Sequence, residues 1–180
     1  MIFTETELRG AWIVEAEPYV DERGYFARTW CQREFEEHGL NPLLVQCSVS
    51  FNRSKGTWRG MHFQKPPFAE TKLVRCTRGS ILDVIADLRP DSPTYGRHLT
   101  VPLSATGGRS LYVPEAFAHG FLSLEDNTEV FYQISEFHSP ASAGGFRWDD
   151  PCFSIRLPAP ITMISEQDKS WPDFRKESRP

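Results

Sequence analysis

The side chains best suited to chemistry are spread over separate segments: His62 in "RGMHFQ", Lys72 in "ETKLVRC", Asp83 in "SILDVIADL", His119 in "YVPEAFAHGF", Tyr132 in "VFYQIS" and Asp168 in "SEQDKS". Together these types suit removal of a proton from carbon. A C–H bond becomes acidic only beside a carbonyl, and three groups are then needed. A base poised near neutral pH takes the proton, a role for a histidine backed by a carboxylate. A cation such as a desolvated lysine steadies the developing enolate. An acid returns the proton, and a tyrosine can fill that place.

Other readings of the same residues stand beside this one. A histidine such as His62, taken alone, is more often a hydrogen-bonded structural residue than a catalytic one, His119 suits a plain loop position as well as a ligand contact, and Arg23 in "DERG" is a solvated charge by default. Metal is the strongest rival. Small β-barrels often hold a metal through an H-x-H pair, a nearby Glu and a later His. Gln64 breaks the pair here, yet His62, Glu70 and His119 leave a conceivable two-His, one-carboxylate set. A serine nucleophile has little support, since the chain lacks G-x-S-x-G, and it lacks G-x-G-x-x-G and P-loop runs as well.

The elements that must position these groups read as strands. Fourteen prolines and twelve glycines punctuate the chain, and between them lie short β-branched and aromatic runs. That spacing predicts an all-β sandwich or barrel. The expected strands are "AWIVEA", "GYFARTW", "LLVQCSVSF", "GTWRGMHFQ", "TKLVRC", "SILDVIADL", "HLTVPL", "SLYVP", "HGFLSL", "EVFYQIS" and "FSIRL"; "SEQDKS" reads as a loop. One short helix is expected over 32–39, "QREFEEHG", with Gly39 as its stop.

Alternation along a strand puts Leu82, Val84, Ala86 and Leu88 on one face and Ile81, Asp83, Ile85 and Asp87 on the other. Acids between isoleucines fit a half-exposed strand, or a barrel whose interior is partly polar because it holds a ligand. In "WRGMHFQ", strict alternation separates Arg59 from His62. Both can face one ligand only if Gly60 hosts a bulge, which glycine permits.

Composition narrows the field. A chain of 180 residues suits one domain over 1–180, with 175–180 expected to fray. A net charge of −4 gives no electrostatic footprint for nucleic acid or an acidic membrane. No run is apolar enough to span a bilayer, and "MIFTETELRG" carries no secretory pattern. The four cysteines are scattered, which predicts reduced thiols in a cytoplasmic protein.

The order of motifs resembles the dTDP-4-dehydrorhamnose 3,5-epimerase family. "DERGYF", "VQCSVS", "KGTWRGMHFQ", "KLVRCTRGSILDVIADLR", "DSPTYG", "YVPEAFAHGF", "VFYQIS" and "RWDDP" run in the family's register from about residue 8 to about 172. The resemblance implies a cupin-like jelly roll, the double-stranded β-helix barrel, with short peripheral helices. It implies a homodimer with an exchanged N-terminal strand, no metal or organic cofactor, and a nucleotide-diphosphate sugar as substrate. The implied reaction inverts C3 and C5 of a 4-keto-6-deoxy hexose, in deoxysugar synthesis for a polysaccharide or glycosylated metabolite. His62 maps to the base, Asp168 to its partner, Tyr132 to the acid and Lys72 to the enolate's cation. Arg23, Phe26, Gln46, Ser48, Arg59, His119 and His138 map to substrate contacts, and Asp83 to an orienting role for Lys72.

Departures from the family's pattern gather away from the proton-transfer set. Arg28 stands where an acid is common, Ser48 where "Q-x-N" ends, Ala143 in place of an acidic contact, and His138 in place of an aromatic over the base. A sibling acting on another nucleotide sugar, or inverting one carbon, stays open, as do a metal-dependent enzyme of the same barrel and a non-catalytic sugar-binding module.

Overall fold

A computed structural model describes residues 1–175. The expectation about 175–180 therefore lies, from 176 onward, outside the described residues. Two antiparallel sheets face each other. The first orders β1 (Ile2–Glu5), β2 (Trp12–Glu15), β10 (Arg109–Val113), β7 (Lys72–Arg78), β12 (Thr128–Ile134) and β5 (Gln46–Asn52). The second orders β13 (Ala143–Gly145), β6 (Trp58–Gln64), β11 (Phe117–Ser123), β8 (Ser80–Asp87) and β9 (His98–Ser104). Strands adjacent in space are mostly distant in sequence, and every ladder runs antiparallel. This is the cupin-like jelly roll.

Alternation decides what each face does. Val74 and Cys76 from β7, Leu111 and Val113 from β10, and Val130 from β12 meet Ile81 and Ile85 of β8 and Phe117 and Phe121 of β11 between the sheets. Full burial of each such side chain is worth about 1.5–3 kcal/mol. The opposite faces of β6, β8 and β11 send Trp58, Met61, Val84, Ala86, Ala118 and Leu122 outward, under a C-terminal layer of Phe146, Phe153 and Ile155. Helix α1 (Gln32–Glu37) seats Phe35 on Val14, Leu73 and Tyr112 of the first sheet, and Gly39 follows at φ +70°, the left-handed stop expected.

Three expectations need correction. "FSIRL" forms no strand; Phe153 and Ser154 close a turn on the Asp150 carbonyl, and the Phe153 ring stacks on Phe146 at 4.4 Å. Its apolar residues bury by ring packing, without a ladder partner. "SEQDKS" is a short helix, α2 (Glu166–Ser170), capped by Ser165. Of "GYFARTW" only β4 (Gly24–Phe26) is strand; it pairs with β3 (Tyr19–Asp21) in an exposed hairpin.

Candidate active site

The inner faces turn polar at one end of the barrel, around a cleft of about 780 Å³. Its floor depends on a bulge in β6. His62 pairs with His119 and Arg59 with Phe121, so Gly60 and Met61 together oppose Gly120 alone. Gly60 has φ +137°, and a Cβ there would lie 2.5 Å from the Gly120 Cα, so glycine meets glycine where the strands come closest. The extra residue rotates the strand. Arg59, His62 and Gln64 line the cleft while Trp58 and Met61 enter the core behind it.

Helix α2 brings Asp168 up beside that strand. Ser165 Oγ accepts from the Asp168 amide at 3.0 Å, a local N-cap that fixes where the carboxylate sits. Asp168 Oδ1 lies 2.6 Å from His62 Nε2, and its Oδ2 accepts from the Gly60 amide at 3.4 Å. Burial alone would raise the Asp168 carboxyl, but the His62 ring and the Gly60 amide together hold it below the usual carboxylate range. An ionised carboxylate only accepts, so Nε2 carries the proton and the lone pair is on Nδ1. The His62 side chain is 44% exposed against 5% for Asp168, so the ring meets the cleft with its anchor behind it.

Across the cleft, β7 and β12 supply Lys72 and Tyr132, and β5 supplies Gln46, Ser48 and Ser50. Lys72 Nζ pairs with Glu70 Oε1 at 2.8 Å. Tyr132 packs edge-on to the His119 ring, centroids 5.8 Å apart. Burial pushes the Tyr132 phenol up, Asp83 adds to this and Arg59 opposes it. The resting phenol is therefore protonated, the state an acid needs.

His62, Lys72, Tyr132, Asp168, Gln46, Ser48, Arg59, His119 and His138 all line this cleft. Three expected contacts lie elsewhere. Asp83 is fully buried behind the lining and bonds His119 Nε2 at 2.6 Å, not Lys72, because β8 and β11 are adjacent and both residues face inward. Burial raises its carboxyl, against the pull of His119 and Lys72. Arg23 and Phe26 sit on the projecting hairpin, away from the cleft, with Arg23 paired to Asp21. Arg28 bonds Glu34 rather than the cleft. Phe63, Ser165, Gln167 and Trp171 line the site without having been singled out by their sequence, since nothing in "SWPDF" signals that Trp171 folds back over Gly145.

The rival metal set does not converge. Among the described residues no three His, Cys, Asp or Glu side chains form a metal-holding group. Asp168 takes His62 Nε2, Asp83 takes His119 Nε2, and Lys72 takes Glu70.

The antiparallel cupin-like barrel and its relatives place the chain among isomerases that act on sugar nucleotides. Residues 5–176 match the family described as dTDP-4-dehydrorhamnose 3,5-epimerase, and the chain belongs to that family. The Methanothermobacter thermautotrophicus dTDP-4-dehydrorhamnose 3,5-epimerase is 43% identical over 97% of this chain and 95% of its own length. The Elizabethkingia anophelis enzyme of the same name superposes with a TM-score of 0.94 at 37% identity, covering 97% of this chain and 96% of that one. The Bacillus anthracis enzyme, crystallised with TDP and PPi bound, superposes with a TM-score of 0.92 at 38% identity, covering 96% and 99%.

Proposed function

We propose that the chain inverts C3 and C5 of dTDP-4-dehydro-6-deoxy-D-glucose to give dTDP-4-dehydro-L-rhamnose. Both carbons flank the C4 ketone, so each proton is acidic for the same reason. The reading rests on one observation above all, the 2.6 Å His62–Asp168 pair with its ring facing the cleft. Nδ1 of His62 takes the proton from carbon, and Asp168 stabilises the imidazolium that forms. Electrons move onto the C4 oxygen, where the Lys72 ammonium meets the enolate. Tyr132, on the opposite sheet, returns a proton from the other face and the configuration inverts. Arg59 suits the diphosphate, and His138 on the rim suits the nucleotide base.

A homodimer completes the proposal, with the exchanged N-terminal element assigned to the β3–β4 hairpin, since the first strand, β1, pairs with β2 of its own chain. Tyr19, Val20, Tyr25 and Phe26 on the β3–β4 hairpin are 74%, 70%, 72% and 78% exposed, and edge strand β5 shows Val49 and Phe51 at 57% and 43%. A second copy of the chain covers both, since an apolar hairpin and an open sheet edge are complementary. In that arrangement Arg23 and Phe26 reach the partner's cleft. Among the described residues no helix is long and apolar enough to cross a membrane, and we place the enzyme in the cytoplasm with its nucleotide-sugar substrate.

Incubation with dTDP-4-dehydro-6-deoxy-D-glucose in D₂O, followed by NMR of the product, tests the reading. Deuterium at C3 and C5 with L-rhamno configuration is expected, unchanged by a chelator. Label at C3 alone would make the chain a single-centre epimerase. No exchange with any nucleotide sugar would make it a binding module, and activity lost to the chelator would favour a metal enzyme.

A further inference from the structure

Gln64 stands where a second histidine would complete an H-x-H pair, and it is only 4% exposed although it carries an amide. Every polar atom of that amide is engaged. Its oxygen accepts from the Ser139 amide at 2.6 Å. Its nitrogen donates among the Phe68 carbonyl at 2.9 Å, Glu70 Oε2 at 3.1 Å and the Phe137 carbonyl at 3.2 Å. One side chain at the end of β6 thus grips the segment leading into β7 and the rim loop after β12. The rim is held from the other sheet too, where Gln46 Oε1 accepts from the His138 amide at 3.2 Å.

Glu70 joins this bond set to the chemistry. Residues two apart on extended chain share a face, so Glu70 and Lys72 both turn into the cleft. One carboxylate oxygen takes the Lys72 ammonium at 2.8 Å and the other takes the Gln64 amide. The two charged side chains are 12% and 11% exposed, so water competes weakly for either. A lysine on its flexible stem is a mobile point charge, and electrostatic stabilisation works when the charge is already in place.

We infer that Gln64 and Glu70 are positioning residues: Glu70 fixes the Lys72 ammonium in the cleft, and Gln64 fixes Glu70 while clamping the rim loop that carries His138. The inference rests on the proposed role of Lys72 at the enolate. A single amide then ties the proton-transfer half of the cleft to the nucleotide half.

Glu70→Gln keeps size and hydrogen bonding while removing the charge. In the full chain, assayed on dTDP-4-dehydro-6-deoxy-D-glucose, it is expected to lower kcat about tenfold or more with KM held within about threefold. A kcat within about twofold of the parent, or a loss carried by KM alone, would overturn the inference. Lys72→Met measured alongside separates the two layers. If it is slow while Glu70→Gln is not, the positioning pair alone falls; if it turns over at the parent rate, the role of Lys72 falls and the inference with it. The rim clamp is read on the unaltered chain, which avoids any folding defect of a Gln64 variant. The Ser139 amide is expected to exchange with D₂O about tenfold or more slowly than in an unstructured peptide, and exchange at the unstructured rate would overturn the clamp.

Discussion

At the scale of single residues, the site turns on which group holds which proton. Asp168 works only as an acceptor, and its amide counterpart could offer His62 Nε2 a donor and so favour the wrong tautomer. Asp168→Asn is expected to slow proton exchange by about 10²–10⁴-fold, checked by deuterium uptake into substrate. The same carboxylate carries a pH signature. Its folded value lies below the ordinary one, so its stabilising contribution is complete above the unfolded pKa of about 3.9 and is lost as pH falls through the folded value. The Tm gap between parent and Asp168→Asn, followed by thermal unfolding, should be full at pH values above the unfolded pKa and close as the medium is acidified through the folded one. Sequence reasoning named His62, Lys72, Tyr132 and Asp168 among the types that suit proton removal from carbon, the family resemblance gave them their expected roles, and the structure gathers the four in one cleft. It did not reach the Asp83–His119 bond, since that depends on two strands being neighbours and both residues facing inward. Nor did it reach the Gln64–Glu70 link, which crosses between segments with no periodic signal.

At the scale of elements, the bulge in β6 and the cap of α2 place His62 and Asp168. Gly60→Ala puts a methyl carbon 2.5 Å from the Gly120 backbone at a φ of +137°. It is expected to cost at least about 2 kcal/mol in urea unfolding, more than a surface glycine substitution would. Ser165→Ala removes the α2 cap and is expected to cost about 1 kcal/mol and to lower turnover, since Asp168 loses its anchor. The need for a bulge was legible because Arg59 and His62 could not otherwise share a face, and Gly60 marked its place. The long strands β5 to β12 were legible from their β-branched runs and turn punctuation. Strand β13, "AGG", has almost no side chains to pattern, and α2 spans too few residues to show a helical period. "FSIRL" has the composition of a strand but joins no ladder; Phe153 and Ser154 close a turn on Asp150, and the apolar side chains bury against Phe146 and its neighbours.

At the scale of the whole molecule, the proposed homodimer covers the exposed aromatic hairpin and the open apolar edge. Sedimentation velocity is expected to give about twice the chain mass of 20.6 kDa. Tyr25→Asp combined with Phe26→Asp should shift the population toward monomer and weaken dTDP binding, because Arg23 then fails to reach the partner's cleft. The fold class followed from the Gly/Pro spacing and the resemblance, whereas the hairpin's reach outward was hidden, since its residues read as an ordinary strand. In the proposed reaction His62 is the group through which every proton leaves carbon. The most direct measurement is the rate of deuterium entry from D₂O into dTDP-4-dehydro-6-deoxy-D-glucose, comparing the parent with a folded His62→Ala enzyme. We predict label at C3 and C5 with the parent and none above background with the variant. Label entering the variant at the parental rate would contradict the account.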